Sequence, residues 1–206
     1  RVRSLVVGPH QLSIRDTAAV TTTRCYRKGV LVDEGFSLEM LNEHLSDEQS
    51  IVWVDLYQPT RQELQTVADE LGLHALAVDD AATERQRPKF NRYQHHDFLS
   101  AYAVRLDEAT GELITAEVAA FITPKALVTV RKDEHFPGDD LLDHLDENAE
   151  LTIHGMSALL YALLDFIVDG HFDTVQALDD QIESLEDLLF DERLRDSDVQ
   201  RRSYQL

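Results

Sequence analysis

The chain has 206 residues, enough for one sizeable core or one core with a helical appendage. Hydrophobic residues make up 43% and charged residues 28%, which excludes a disordered chain. The net charge of −20, from 39 acidic against 19 basic residues, excludes nucleic acid as a partner, because binding phosphates needs a basic patch; it suits a surface that collects cations or basic partners.

There is one cysteine, Cys25, so an intrachain disulfide framework and a cysteine zinc site are excluded and a reducing, cytoplasmic setting is favoured. The chain opens Arg1-Val2-Arg3, with neither an initiator Met nor a signal-peptide pattern. No run approaches the ~20 apolar residues that span a bilayer. Asp196 to Leu206 read as the opening of a further helix. A soluble piece of a longer protein is the expectation.

Residues 1–36 read as short strands, with Ser4–Val7 and Gly29–Val32 β-rich and Gly8-Pro9 and Gly35 as punctuation. Leu38, Leu41 and Leu45 fall at helical spacing and predict a helix over about Ser37–Leu45. Ile51 to Leu56 is a compact apolar run of strand length, as a buried central strand requires. Pro59 ends it. Thr60 then opens a helix, with Glu63 at capping-box spacing, Leu64, Val67, Ala68 and Leu71 on one face and Gly72 as the stop. Phe98–Leu106, Leu113–Ile122 and Ala126–Val130, separated by polar turns, predict an antiparallel meander. Pro137-Gly138 opens a helix to about Leu145.

From Thr152 to about Phe190 the pattern is helical. Met156 to Val168 is apolar on most sides and predicts burial. Val175, Leu178, Ile182, Leu185 and Leu189 then recur at steps of three and four, a coiled-coil seam. Between Asp165 and Asp198 twelve carboxylates face only Arg193 and Arg195, a net of −10. Such a run is either a solvated face or an attractor for cations or for a basic partner.

The chemistry concentrates in Gly72–Asp80 and the Arg87-Pro88-Lys89 turn after it. Asp79 and Asp80 follow Leu76, Ala77 and Val78, and carboxylates in or beside a core are costly unless paired or bound to a cation. The pair reads either as metal ligands or as solvated carboxylates at a helix terminus. Asp165 is either a third ligand or a polar residue on an apolar helix. His95 and His96 are adjacent; on a strand such neighbours point to opposite faces and do not chelate one ion. His74 reads as packed against the short apolar turn and Trp53 as core.

The ordered set carries a resemblance. Trp53-Val54-Asp55-Leu56, then a Pro-containing turn and helix, Gly72-Leu73-His74-Ala75-Leu76-Ala77-Val78-Asp79-Asp80, Arg87-Pro88-Lys89, and Leu159 to Asp169 resemble the cytoplasmic domain of the CorA family of magnesium and divalent-metal transporters. The resemblance runs from about Ile51 to Leu206. It implies an α/β (α+β) fold: an α/β/α sandwich over about 1–150 with a mixed, partly antiparallel sheet. Long paired acidic helices over 151–195 and the start of a stalk helix at 196–206 would follow. It further implies a homopentamer in the cell membrane, with this part on the cytoplasmic side and the membrane reached through C-terminal helices absent from this sequence.

The resemblance places a regulatory Mg²⁺ site between subunits, with Asp79, Asp80 and Asp165 matching its carboxylates and a further ligand from the neighbouring stalk beyond Leu206. Co²⁺ or Ni²⁺ are possible cargo, and a Zn²⁺-transporting branch is the nearest alternative. By itself the chain should bind Mg²⁺ weakly and associate loosely. Two rivals rest on the residues alone: a metal-dependent hydrolase using Asp79, Asp80 and Asp165, and an acidic scaffold for a basic partner. No nucleophile elbow, P-loop or His-Glu-x-x-His helix is present, and no enzyme is expected.

Overall fold

A strand that carries apolar side chains on both faces is stable only where both faces are covered. Ser50–Tyr57 (β3) is such a strand, buried along nearly its whole length. The computed structural model describes residues 20–190, residues 108 and 148 excepted. It places β3 near the middle of a seven-stranded sheet of order β2-β1-β3-β7-β6-β5-β4. The other strands are Val20–Arg27 (β1), Val30–Glu34 (β2), Lys89–Arg92 (β4), Asp97–Leu106 (β5), Leu113–Ile122 (β6) and Ala126–Arg131 (β7). The β3–β7 pair is parallel and the remaining pairs are antiparallel, so the sheet is mixed, as expected.

Alternation along the strands divides the core in two. On one face Val52, Val54, Leu56, Phe98, Phe121 and Val128 meet the helices Leu41–Leu45 (α1), Arg61–Leu71 (α2) and Ala75–Ala82 (α3). On the other, Trp53, Val118, Ala120 and Leu127 meet Gly138–Glu147 (α4) and the first half of Met156–Phe190 (α5). This is the α/β/α sandwich. Asp55 is buried on the α5 side of the sheet. It accepts from Arg131 Nη2 at 2.6 Å and Nε at 2.9 Å, and from Thr129 Oγ1 at 2.6 Å, while Trp53 Nε1 donates to Thr129 at 3.1 Å.

Local signals behave as their chemistry requires. Thr60 and Glu63 form a reciprocal capping box on α2, and Gly72 closes it in the left-handed conformation at φ 63°. The meander strands match their predicted extents closely. Other expectations need correction. Val20–Arg27 is a strand that the apolar pattern did not mark, because its β-branched run is mostly threonine. It pairs with β2 across Lys28-Gly29, both at positive φ, as a tight two-residue hairpin demands. The helix expected over Ser37–Leu45 is a 3-10 turn, Leu38–Met40, followed by the short α1. Gly155, at φ 77°, breaks the long helix expected from Thr152 into a 3-10 stretch, Ala149–His154, and α5. Strand Ser4–Val7 and the helix from Asp196 lie outside the described residues.

Helix α5 has two regimes. Leu159, Ala162, Leu163 and Ile167 are buried against the sheet. At Gly170 the helix crosses β5 so closely that a Cβ there would stand 3.2 Å from the Val104 carbonyl oxygen, and Thr174 donates to that oxygen. Farther on, the predicted seam is unevenly covered: Val175 is 57% and Ile182 48% exposed, whereas Leu178 and Leu185 are half-buried.

Candidate functional site

Helix α3 carries the acidic pair. His74 caps it, its Nδ1 accepting from the Leu76 amide at 3.2 Å. Ala77 and Ala81, four apart, turn the inner stripe of the helix into the first core. Asp79 and Asp80 therefore do not enter the core: Asp79 is exposed and Asp80 is 27% exposed by its side chain. The desolvation that two carboxylates beside an apolar run would suffer is avoided by helical phase. Among the described residues Asp79 has no ion pair, whereas Asp80 Oδ2 lies 2.7 Å from Lys89 Nζ.

The segment after α3 is clamped. Thr83 donates through its hydroxyl to the Asp79 carbonyl at 2.8 Å. Lys132 Nζ donates to the Thr83 carbonyl and, at 2.9 Å, to Glu117 Oε1. The other oxygen of Glu117 accepts from the Arg85 and Gln86 amides at 2.8 and 3.3 Å. Tyr102 donates its hydroxyl to the Gln86 carbonyl at 2.8 Å, and burial pushes its phenol pKa up. Glu117 is a lone carboxylate in an apolar strand, which signals in the sequence that a cation or a set of N–H groups must meet it. The pattern did not reveal which. The clamp holds the exit of α3, and β4 then carries Lys89 back to Asp80. Arg87-Pro88-Lys89 is thus more than a turn.

Asp165 belongs elsewhere. It lies on α5, on the opposite side of the sheet, with its Oδ2 3.6 Å from His144 Nε2. The same carboxylate raises the pKa of Tyr161. One chain therefore brings Asp79 and Asp80 together but does not bring Asp165 to them. No described group of three or more His, Cys, Asp or Glu side chains is placed to hold a metal. The three-carboxylate hydrolase centre accordingly does not form within one chain.

The histidines separate similarly. His95 and His96 lie in the bend before β5, His95 exposed and His96 buried. The Tyr93 ring stacks between His74, at 4.7 Å, and His96, at 4.9 Å, so those two imidazoles cannot share an ion. Burial holds His96 below the ordinary imidazole pKa.

Beyond the carboxyl ends of the parallel strands β3 and β7 an open cleft of about 850 Å³ separates α2 from α3. Arg61, Gln65, Asp69, Leu76, Asp79 and Lys132 are among its lining residues. The chain leaves β3 for one face of the sheet and β7 for the other, the arrangement that opens a crevice at a switch point. Asp79 and Asp80 offer hard oxygen donors beside water, which suits a cation that keeps much of its own hydration.

Residues 48–206 match the family described as CorA-like Mg2+ transporter protein. The chain is 25% identical over 157 residues to the cobalt/magnesium transport protein CorA of Thermotoga maritima, covering 75% of this chain and 44% of that one. It spans less than half the length of the curated relatives it matches. In fold it is similar to the soluble domain of CorA from Methanocaldococcus jannaschii, with a TM-score of 0.64 at 18% identity over 90% of this chain and 70% of that one. It is also similar to the full-length CmaX protein, with a TM-score of 0.70 at 17% identity over 91% and 58% of the two chains. No described helix is long and apolar enough to cross a membrane.

Proposed function

The chain belongs to the family of CorA-like Mg²⁺ transporter proteins, and from that premise we propose that it is the cytoplasmic, cation-sensing part of a divalent-cation channel. Mg²⁺ is the regulatory ion, bound through Asp79 and Asp80 at a seam between subunits of a homopentamer, with Asp165 contributing from a neighbouring copy. The carrying observation is the outward display of Asp79 and Asp80 on α3, with Asp165 on the far side of the sheet. A site drawing on all three carboxylates then requires more than one chain.

The physics is that of linkage. Carboxylates facing each other across a seam repel when empty, and a divalent cation removes the repulsion. An ion that binds the closed arrangement more tightly shifts the population toward it by that difference in affinity. Rising internal Mg²⁺ then closes the channel. Cargo selectivity among Mg²⁺, Co²⁺, Ni²⁺ and Zn²⁺ resides in the pore segment, outside this sequence.

The test is Asp80→Ala in the full-length protein. The variant is expected to fold and to conduct, and to lose closure by internal Mg²⁺. A current that still shuts at the wild-type Mg²⁺ concentration removes Asp80 from the sensor.

A further inference from the structure

The ammonium on Asp80 has a consequence for any cation that binds there. Lys89 Nζ lies 2.7 Å from Asp80 Oδ2, 3.1 Å from Gln86 Oε1, and 5.8 Å from the centre of the Phe98 ring. The lysine stem is thus steered by β4 and its head by three neighbours. Both partners of the pair keep 27% of their side-chain surface in water. A pair so wetted exchanges its partners readily and is worth little as a structural lock. Asp79, next to it, has no ion pair among the described residues and stands open.

We propose that Lys89 is a tethered counter-cation that competes with the divalent ion for Asp80 and thereby sets the concentration range over which the site responds. This rests on the reading of Asp79 and Asp80 as ligands. A hard divalent cation needs carboxylate oxygen, and one oxygen of Asp80 is already taken by an ammonium. The incoming ion either binds the remaining oxygen beside a like charge or drives Lys89 into solvent. Either route weakens binding.

The geometry makes release of Lys89 easy. Strand β4 is at the sheet edge, and its pairing with β5 runs through backbone groups that a side-chain swing leaves intact. The other nearby lysine is unsuited to the role. Lys132, its side chain 11% exposed, is held by Glu117 and the Thr83 carbonyl, so it serves the clamp. Lys89 is the residue poised to leave. A unit charge about 5 Å from a divalent ion in a water-like dielectric changes its affinity on the order of tenfold.

The test uses the full-length protein in detergent, with the Mg²⁺ midpoint read by protection from limited proteolysis and by heat of binding of MgCl₂. Lys89→Met keeps the apolar stem over Phe98 and removes the charge. It is expected to lower the midpoint on the order of tenfold, while Lys89→Arg keeps it near wild type. Melting without Mg²⁺ should move little in either variant, which separates competition from a structural role. If Lys89→Met leaves the midpoint unchanged while Asp80→Asn abolishes the response, the competition is overturned and the carboxylate site stands. If Lys89→Arg shifts the midpoint as far as Lys89→Met, charge is not the agent and the proposal is overturned. If neither Asp79→Asn nor Asp80→Asn moves the midpoint, the ligand reading fails and the competition falls with it.

Discussion

Replacing Asp55 with Ala should be among the most destabilising single changes in this chain. Asp55 sits under the parallel β3–β7 pair with its side chain 3% exposed, and Arg131, its partner, is 12% exposed. Removing the carboxylate deletes four hydrogen bonds of 2.6–3.0 Å, three from the guanidinium, whose Nε is shared between both oxygens, and one from Thr129. It also leaves a guanidinium facing Phe136 and Tyr57 without a counter-charge. Breaking one partner of a buried pair costs about 3–5 kcal/mol, because the survivor remains desolvated. At about 2–4 °C per kcal/mol for a domain of this size, melting should fall by roughly 6–20 °C.

The assay is urea unfolding with thermal melting beside it, on Asp55→Ala, Arg131→Met and the double variant Asp55→Leu/Arg131→Met. The double variant should be more stable than Asp55→Ala, since apolar replacement of a buried pair is often neutral. A loss below about 1 kcal/mol for Asp55→Ala, the range of an exposed pair, would refute the reasoning. So would a double variant no better than the single.

Two further outcomes follow from local chemistry. Thr60→Ala should cost about 1 kcal/mol in urea unfolding, because the Glu63 amide loses its cap and the Glu63 carboxylate loses the hydroxyl that donates to it, while the Thr60 amide still donates to that carboxylate; no measurable loss would deny the cap its role. His96 is held below the ordinary value of 6.5, chiefly by burial, so between its folded pKa and 6.5 the unfolded chain binds more protons than the folded one. Stability should therefore fall as pH drops below 6.5, and His96→Phe, which keeps a ring against Tyr93 and Phe121, should flatten that slope in melts taken across the window. An unchanged slope would assign the acid sensitivity to other groups.

Much of the fold was legible because its signals are short-ranged. The capping box spans Thr60 to Glu63, the Gly72 stop is one residue wide, and the apolar run of β3 declares its own burial. Strand β1 lay within the residues 1–36 read as short strands but was not singled out, because three consecutive threonines carry β-branching without apolar contrast, and their place is decided by pairing with β3. The seam on α5 was legible as a pattern, yet the described structure leaves Val175 and Ile182 facing solvent, since a heptad specifies an apolar stripe and not what covers it.

The same division holds at the candidate site. From the sequence alone come the acidic pair, its place after a short apolar run, and the ordered motifs that place the chain in its family. Only the tertiary structure decided that Asp79 and Asp80 leave the core by helical phase, and that Asp165 stands across the sheet. Tertiary structure also brought Lys89 to Asp80. The physical reason is the range of each determinant. Helix phase and caps are set within a turn, but Lys89 meets Asp80 only through strand register and the buried Glu117–Lys132 clamp. The side of the sheet that Asp165 occupies is likewise set by where α5 buries its apolar face.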